Sequence, residues 1–414
     1  MALVLANAVC LLGQTDTKDS NGSHAHFKWG LELHGRLEAP NNIDFDGDHD
    51  GTFYLSRIRV SLEAEVSPVV RVYVQGQDAR VFGLTDRDDI DSTAHRLDFH
   101  QAYADFGHSE GRWGARIGRQ ELAFGDERLI GADNFWDPLG FTFDAVSMKY
   151  ERSRLRVDVF GAFVVTPEYD RMARPSTDNR LYGIYGALRN GSGDVVVEPY
   201  FICNQRTLAV TDVYTYGVRM AAKLPARFDY NVEVALQRGQ RMYESIHAWA
   251  GHWELGHRIF QSERAPRLSV EYNYASGDAN RTDGRHSTFD DLYPAGYNKY
   301  GMADPFAWRN IRNIAASVEW KLAKRWRLAT GYRAFWLADI HDGLYTKGED
   351  FLVWNFKSPN AHVGNQEIFS VAYDWSERLH LAAGYARFVP GKYLLSSSLG
   401  GNFSTPYAMW SYQF

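Results

Sequence analysis

The sequence predicts an all-β fold: a transmembrane antiparallel β-barrel of about 18 strands, with short periplasmic turns and long extracellular loops. Three observations carry that reading. Apolar and polar residues alternate with period two from end to end. Tight and long connections alternate strictly along the chain. Aromatic residues make up 14% of the 414 positions, more than an ordinary soluble core needs.

Composition removes the competing classes. Lys and Arg total 45 against 51 Asp and Glu, a net charge of −6 that offers no bulk reason for nucleic-acid binding. After residue 12 no uncharged apolar run approaches the ~20 residues of a membrane-spanning helix. The chain opens MALVLANAVC and closes that apolar stretch on Ala6-Asn7-Ala8, the small-x-small form of a secretory cleavage site. Residues 1–26 are therefore read as the remnant of an export signal with a flexible N-terminus, and 27–414 as a single outer-membrane barrel. Cys10 fits an acylation site poorly, and without it Cys203 lacks an intrachain partner, so disulfides do not carry the fold.

The alternation is clear in each segment. Phe27, Trp29, Leu31, Leu33 and Leu37 oppose Lys28, Glu32, His34, Arg36 and Glu38. Ile58, Val60, Leu62 and Ala64 oppose Arg57, Arg59, Ser61 and Glu63. Val157, Val159 and Phe163 oppose Arg156 and Asp158, and Tyr332 and Trp336 oppose Arg327 and Arg333. A half-buried soluble sheet shows the same alternation, so connection lengths decide. Ser67-Pro68, 108–111, Arg152-Ser153, 190–193, Pro225-Ala226, Ala323-Lys324 and Ser376-Glu377 are tight. Segments 40–51, 82–95, 123–141, 165–180, 276–308 and 338–363 are long. Trp29, Trp113, Trp326, Trp375, Trp410, Tyr150 and Tyr230 fall near strand ends, where an interfacial belt holds amphipathic rings. The end of the chain, Trp410-Ser411-Tyr412-Gln413-Phe414, is aromatic at every second position. It resembles the signal read by barrel-assembly machinery.

Lipid-facing positions must be apolar, so charge on the alternate phase faces an aqueous lumen. The inward set is Arg36, Arg57, Arg59, Arg71, Arg116, Arg156, Arg219, Arg267, Arg327 and Arg333. Glu32, Glu63, Glu65, Asp158, Glu198, Glu233, Glu271 and Glu319 share their phase. Two uses are open. The charges pair and hold the wall together, or the arginines lower the barrier for a polyanion, since guanidinium pairs bidentately with carboxylate and keeps its charge.

Residues 118–131 read GRQELAFGDERLIG, followed by Phe141-Thr142-Phe143-Asp144-Ala145-Val146. Further on come Leu97-Asp98-Phe99-His100-Gln101-Ala102-Tyr103, Phe289-Asp290-Asp291-Leu292-Tyr293-Pro294, Lys299-Tyr300-Gly301, Trp308-Arg309-Asn310-Ile311 and the stretch 383–393. Together these resemble the alginate-export family of outer-membrane proteins over nearly everything after residue 27. The resemblance implies an 18-stranded barrel whose Arg-rich constriction passes an anionic uronic-acid polysaccharide outward. Arg119 shares phase with Trp113, Ala115 and Ile117, so it lies above the membrane or a bulge turns it. The expectation is an inward loop in which Arg119, Gln120, Glu121, Asp126, Glu127 and Arg128 narrow the pore as a charge network; a loop-anchoring cluster is the alternative.

Asp44, Asp46, Asp48 and Asp50 alternate beside glycines in 40–51 and form a candidate Ca site. Leu55 stands where a calcium loop carries its closing Glu, so a solvated acidic surface loop is the alternative. No Gly-x-Ser-x-Gly elbow or phosphate-binding loop is present, and His252–His257 has the wrong spacing for a zinc-protease helix. The expected protein is not an enzyme. It is an outer-membrane channel for passive, anion-selective secretion of an acidic exopolysaccharide such as alginate, with a porin for small solutes as the alternative. Expected partners are the anionic polysaccharide, outer-membrane lipid, barrel-assembly machinery and periplasmic export proteins, with no nucleic acid and a monomeric state. A predominantly positive constriction favours export, and a charge-balanced one the porin. Alanine at Arg57, Arg59 and Arg333 is expected to reduce anion selectivity with folding intact.

Overall fold

The computed structural model describes residues 13–18, 24–42, 51–84, 93–107, 111–132, 136–296, 299, 306–346, 351–355, 358–397 and 400–414. The acidic segment Asp44–Asp50 and Tyr300-Gly301 lie outside them.

Eighteen antiparallel strands among the described residues close into one barrel. They are β1 His24–Glu38, β2 Phe53–Ser67, β3 Val70–Phe82, β4 His95–Phe106, β5 Trp113–Gln120, β6 Phe143–Arg152, β7 Leu155–Glu168, β8 Arg171–Arg189 and β9 Val195–Arg206. The second half holds β10 Thr211–Lys223, β11 Phe228–Arg241, β12 Glu244–Arg258, β13 Arg267–Ala275, β14 Ile311–Trp320, β15 Trp326–Leu337, β16 His362–Asp374, β17 Leu379–Pro390 and β18 Phe403–Gln413. Each strand pairs with the next. The barrel closes where β18 pairs with β1, in the register Glu32↔Gln413 to Glu38↔Tyr407. Below that contact the strand Gly13–Lys18 occupies the same edge of β1.

Alternation sets the two faces. Ile58, Val60 and Leu62 are exposed on the outside, while Arg57, Arg59 and Ser61 between them are buried inside. Aromatic pairs collect at the short-turn end: Trp29 with Phe414 at 4.7 Å, Trp113 with Tyr150 at 4.5 Å and Trp326 with Tyr373 at 4.5 Å. Rings there sit at the water–lipid boundary. No helix among the described residues is long and apolar enough to cross a membrane.

The long-loop side differs from expectation, most of all at one segment. Residues 165–180 are not an open connection; they continue β7 and β8 into a hairpin with register shifts between Phe163 and Val165 and between Thr166 and Glu168. Its tip bends over toward β4: Arg96 N–H donates to Tyr169 O at 3.3 Å and Ala173 N–H to Asp98 Oδ2 at 2.7 Å. The bend covers a gap, because β5 and β6 stop short where the loop between them turns into the barrel. Turns 207–210 and 242–243 on this side are also tight, so short and long connections do not alternate strictly.

Candidate lumen site

The loop 121–142 leaves β5 and crosses the lumen. Gly125 makes its first bend at φ +59°, against the inner wall; a Cβ there would come 2.3 Å from the Tyr185 hydroxyl. Phe124 stacks on Phe160 at 5.1 Å and on Tyr185 at 4.9 Å, while Leu122, Leu129 and Ile130 bury into the same apolar cluster. Arg128 reaches the far wall, with Nη2 3.2 Å from His252 Nε2 on β12 and 3.6 Å from Glu271 Oε1 on β13. The return limb touches the opposite wall. Arg36 donates to Trp136 O and lies 3.8 Å over its ring, and Gln77 Nε2 donates to Leu139 O at 3.3 Å.

A second inward segment, within 276–310, zips onto the first. Tyr293 N–H donates to Leu129 O and Gly131 N–H to Tyr293 O, both at 2.9 Å. Asp290 and Asp291 receive Arg309 at 2.9 and 2.6 Å, and Asp290 also receives Arg206 of β9. The sequence segments 118–131, 289–294 and 308–311 therefore meet inside the barrel. Their apolar residues fill part of a lumen that the strand count alone would leave aqueous.

Charge holds the loops in place. Asp126 lies 3.0 Å from Arg128 Nε and 3.0 Å from Lys299 Nζ. Burial works against its negative charge, but Lys299 and Arg128 hold the carboxyl well below the usual carboxylate range. Asp290 is depressed in the same way, with Arg309 and Arg206 outweighing burial. Glu121 accepts from His100 at 2.7 Å and faces Arg59 at 3.9 Å; the Glu127 carboxylate accepts the Ala132 N–H at 3.2 Å. Gln120 is buried at the wall, donating to Ala145 O at 3.0 Å.

Arg119 does not join this network, and here the expectation is corrected. It keeps the outward phase, bonds Asp144 through Nε at 2.8 Å and Nη2 at 3.2 Å, and donates to Ala173 O of the overhanging hairpin at 3.0 Å. A lipid-facing Arg is tolerated there because a carboxylate and a folded-over carbonyl replace water.

The ten arginines of the inward set take the inward phase, and each has a carboxylate partner. Arg57 meets Glu32 at 2.5 Å, Arg36 meets Glu38 at 2.7 Å, and Arg333 meets Glu271 at 3.0 Å. Arg59 donates to Gln77 at 2.5 Å between Glu32 and Glu121. Arg219 pairs with Glu198 at 2.5 Å, Arg267 with Asp229 at 2.5 Å and Glu254 at 2.9 Å, and Arg327 with Asp374 at 2.6 Å. Glu63 takes Lys28 at 3.2 Å and Arg71 at 3.3 Å, Glu65 takes Lys28 at 3.2 Å, and Glu233 accepts the Tyr200 hydroxyl at 2.8 Å.

Exposure separates these arginines. The side chains of Arg36, Arg57, Arg59 and Arg333 are only 4–7% exposed, whereas Arg71, Arg116 and Arg156 are 31–42% exposed. The exposed three line a cavity of about 710 Å³ between the short turns and the inward loop. There Asp105 bridges Arg71 at 2.5 Å and Arg116 at 2.6 Å, and Arg156 pairs with Asp158 at 2.7 Å. Sequence phase finds the inward arginines but not this division, which depends on where the loop crosses. Among the described residues no cluster of His, Cys, Asp or Glu has metal-binding geometry.

A sequence profile of a family described as alginate export matches residues 26–397. No curated protein matches. Among solved structures, Pseudomonas aeruginosa OccK3 (OpdO) is similar with a TM-score of 0.64 at 11% identity, covering 94% of this chain and 95% of that one. P. aeruginosa OccD3 (OpdP) gives 0.64 at 10% identity, covering 97% and 93%. P. aeruginosa OccK11 (OpdR) gives 0.61 at 13% identity, covering 94% and 96%. At such identities the likeness is one of fold.

Proposed function

The chain belongs to the alginate-export family, and from that premise we propose that this outer-membrane channel passes an anionic uronic-acid polysaccharide outward without an energy source of its own. The observation that carries the reading is the half-exposed series Arg71–Asp105–Arg116 in the cavity below the inward loop. A polymer carboxylate can replace Asp105 as partner of either guanidinium and be handed to the next. Exchange between partners of similar strength lets a polyanion move without a deep binding well. Reversal potentials across a planar bilayer under a salt gradient test this. The reading expects anions to carry most of the current; cation preference would contradict it.

Charge compensation at mid-barrel favours a second reading, a porin for small solutes. Arg59, Arg128 and Arg333 there all lie beside Glu32, Glu121, Asp126 or Glu271.

A further inference from the structure

The lumen arginines are partnered, yet another set of cations is not. Arg112 and Arg154 are exposed on the turns joining β4 to β5 and β6 to β7, and Arg152 is exposed at the end of β6. Among the described residues none of the three has a carboxylate within ion-pair distance. The nearby Glu151 is taken by Lys149 at 3.5 Å. The arc is held together by backbone, since Glu151 N–H donates to Arg112 O at 2.8 Å and Arg189 N–H to Arg154 O at 2.8 Å. It also opens onto the cavity just described, whose wall includes Gly111, Lys149 and Arg156. The three unpaired arginines thus stand at the short-turn rim beside the carboxylate-paired Arg156 and Arg116 of the cavity.

We propose that the arc of Arg112, Arg152 and Arg154 is a capture site for a carboxylate-bearing polysaccharide on the periplasmic side, feeding it into the Arg116–Arg156 cavity. The inference rests on the polysaccharide reading above and adds the place where the polymer first meets the channel. Unpaired surface cations act on encounter: they raise association rates for an anion at low ionic strength and lose that effect as salt screens them. Their position favours polymer over lipid, because Arg112 adjoins Gly111 of the cavity wall and Arg154 continues the lumen phase of Arg156.

The test is sided block of single channels in phosphatidylcholine bilayers, with an oligouronate of defined length added to one chamber at a time. The expected result is an association rate about tenfold higher from the short-turn side. The preference should collapse at high salt and in the R112Q/R152Q/R154Q variant, with open-channel conductance unchanged. The matched variant K321Q/K324Q/R325Q, on the turn between β14 and β15, should keep most of it. Equal rates from both sides in the unmodified protein would overturn the capture site and leave the channel reading standing. Absence of block from either side would overturn both. A triple variant that keeps the sided rate but binds phosphatidylglycerol vesicles less well would assign the arc to lipid headgroups and overturn the proposal.

Discussion

Lys299 Nζ lies 3.0 Å from Asp126 Oδ1, and through that bond the segment after β13 holds the loop after β5 inside the barrel. Both side chains are largely buried, so the pair is poorly screened. Replacing Lys299 with Met leaves Asp126 with Arg128 alone, at a cost of about 1–3 kcal/mol to the docked loop. The barrel wall should survive. Open-channel noise and protease nicking within 121–142 should both rise; unchanged values would show that the backbone bonds to Tyr293 suffice.

Acid should not undock the loop under mild conditions. Asp126 and Asp290 both have carboxyls held below the ordinary range. A depressed group contributes stability that is complete above its unfolded pKa, about 4, and lost only as pH falls through its lower folded value. Amide exchange at 124–131, corrected for its intrinsic rate, should therefore show constant protection from pH 8 to about 4.5. Release between pH 5 and 7 would contradict the assignment.

Arginine substitutions should divide into two classes. Alanine at Arg57, Arg59 and Arg333 strips Glu32 of both its arginines and leaves Glu271 with Arg128 as its remaining arginine, and breaking a buried pair costs about 3–5 kcal/mol. That triple variant should refold poorly, contrary to the expectation from sequence that folding stays intact. Glutamine at Arg71 and Arg116 touches half-exposed pairs worth about 0.2–1 kcal/mol each. It should leave heat-modified mobility on gels unchanged while shifting the reversal potential toward cations.

Arg119 should be silent in transport. Its guanidinium serves Asp144 and the carbonyl of Ala173 outside the lumen. Arg119→Gln should loosen the hairpin tip and speed cleavage near 168–171, with ion selectivity unaltered. A selectivity change would place the side chain in the pore.

Much of the wall was legible because a bilayer tolerates only apolar residues on one phase. Ile58, Val60 and Leu62 announce it directly, and strand number follows from their recurrence. The hairpin 165–180 was not legible: Arg174, Pro175 and Asp178 read as loop, and only the gap above β5 and β6 explains its pairing. The inward loops were half legible. GRQELAFGDERLIG stood out as a motif, but its partners Glu271, Tyr293 and Lys299 lie far along the chain, and local periodicity says nothing about such contacts. Arg119 misled because a charge on a lipid phase suggested a turn inward, whereas a folded-over carbonyl satisfies it in place.

The most direct measurement is single-channel block by oligomannuronate compared with a neutral oligosaccharide of equal length. Block by the uronate alone, weakened in R71Q/R116Q, is the result predicted for a polysaccharide channel working by carboxylate exchange. Equal block by both sugars would contradict it, leaving the arginines as partners that hold the wall and the solute-porin reading in its place.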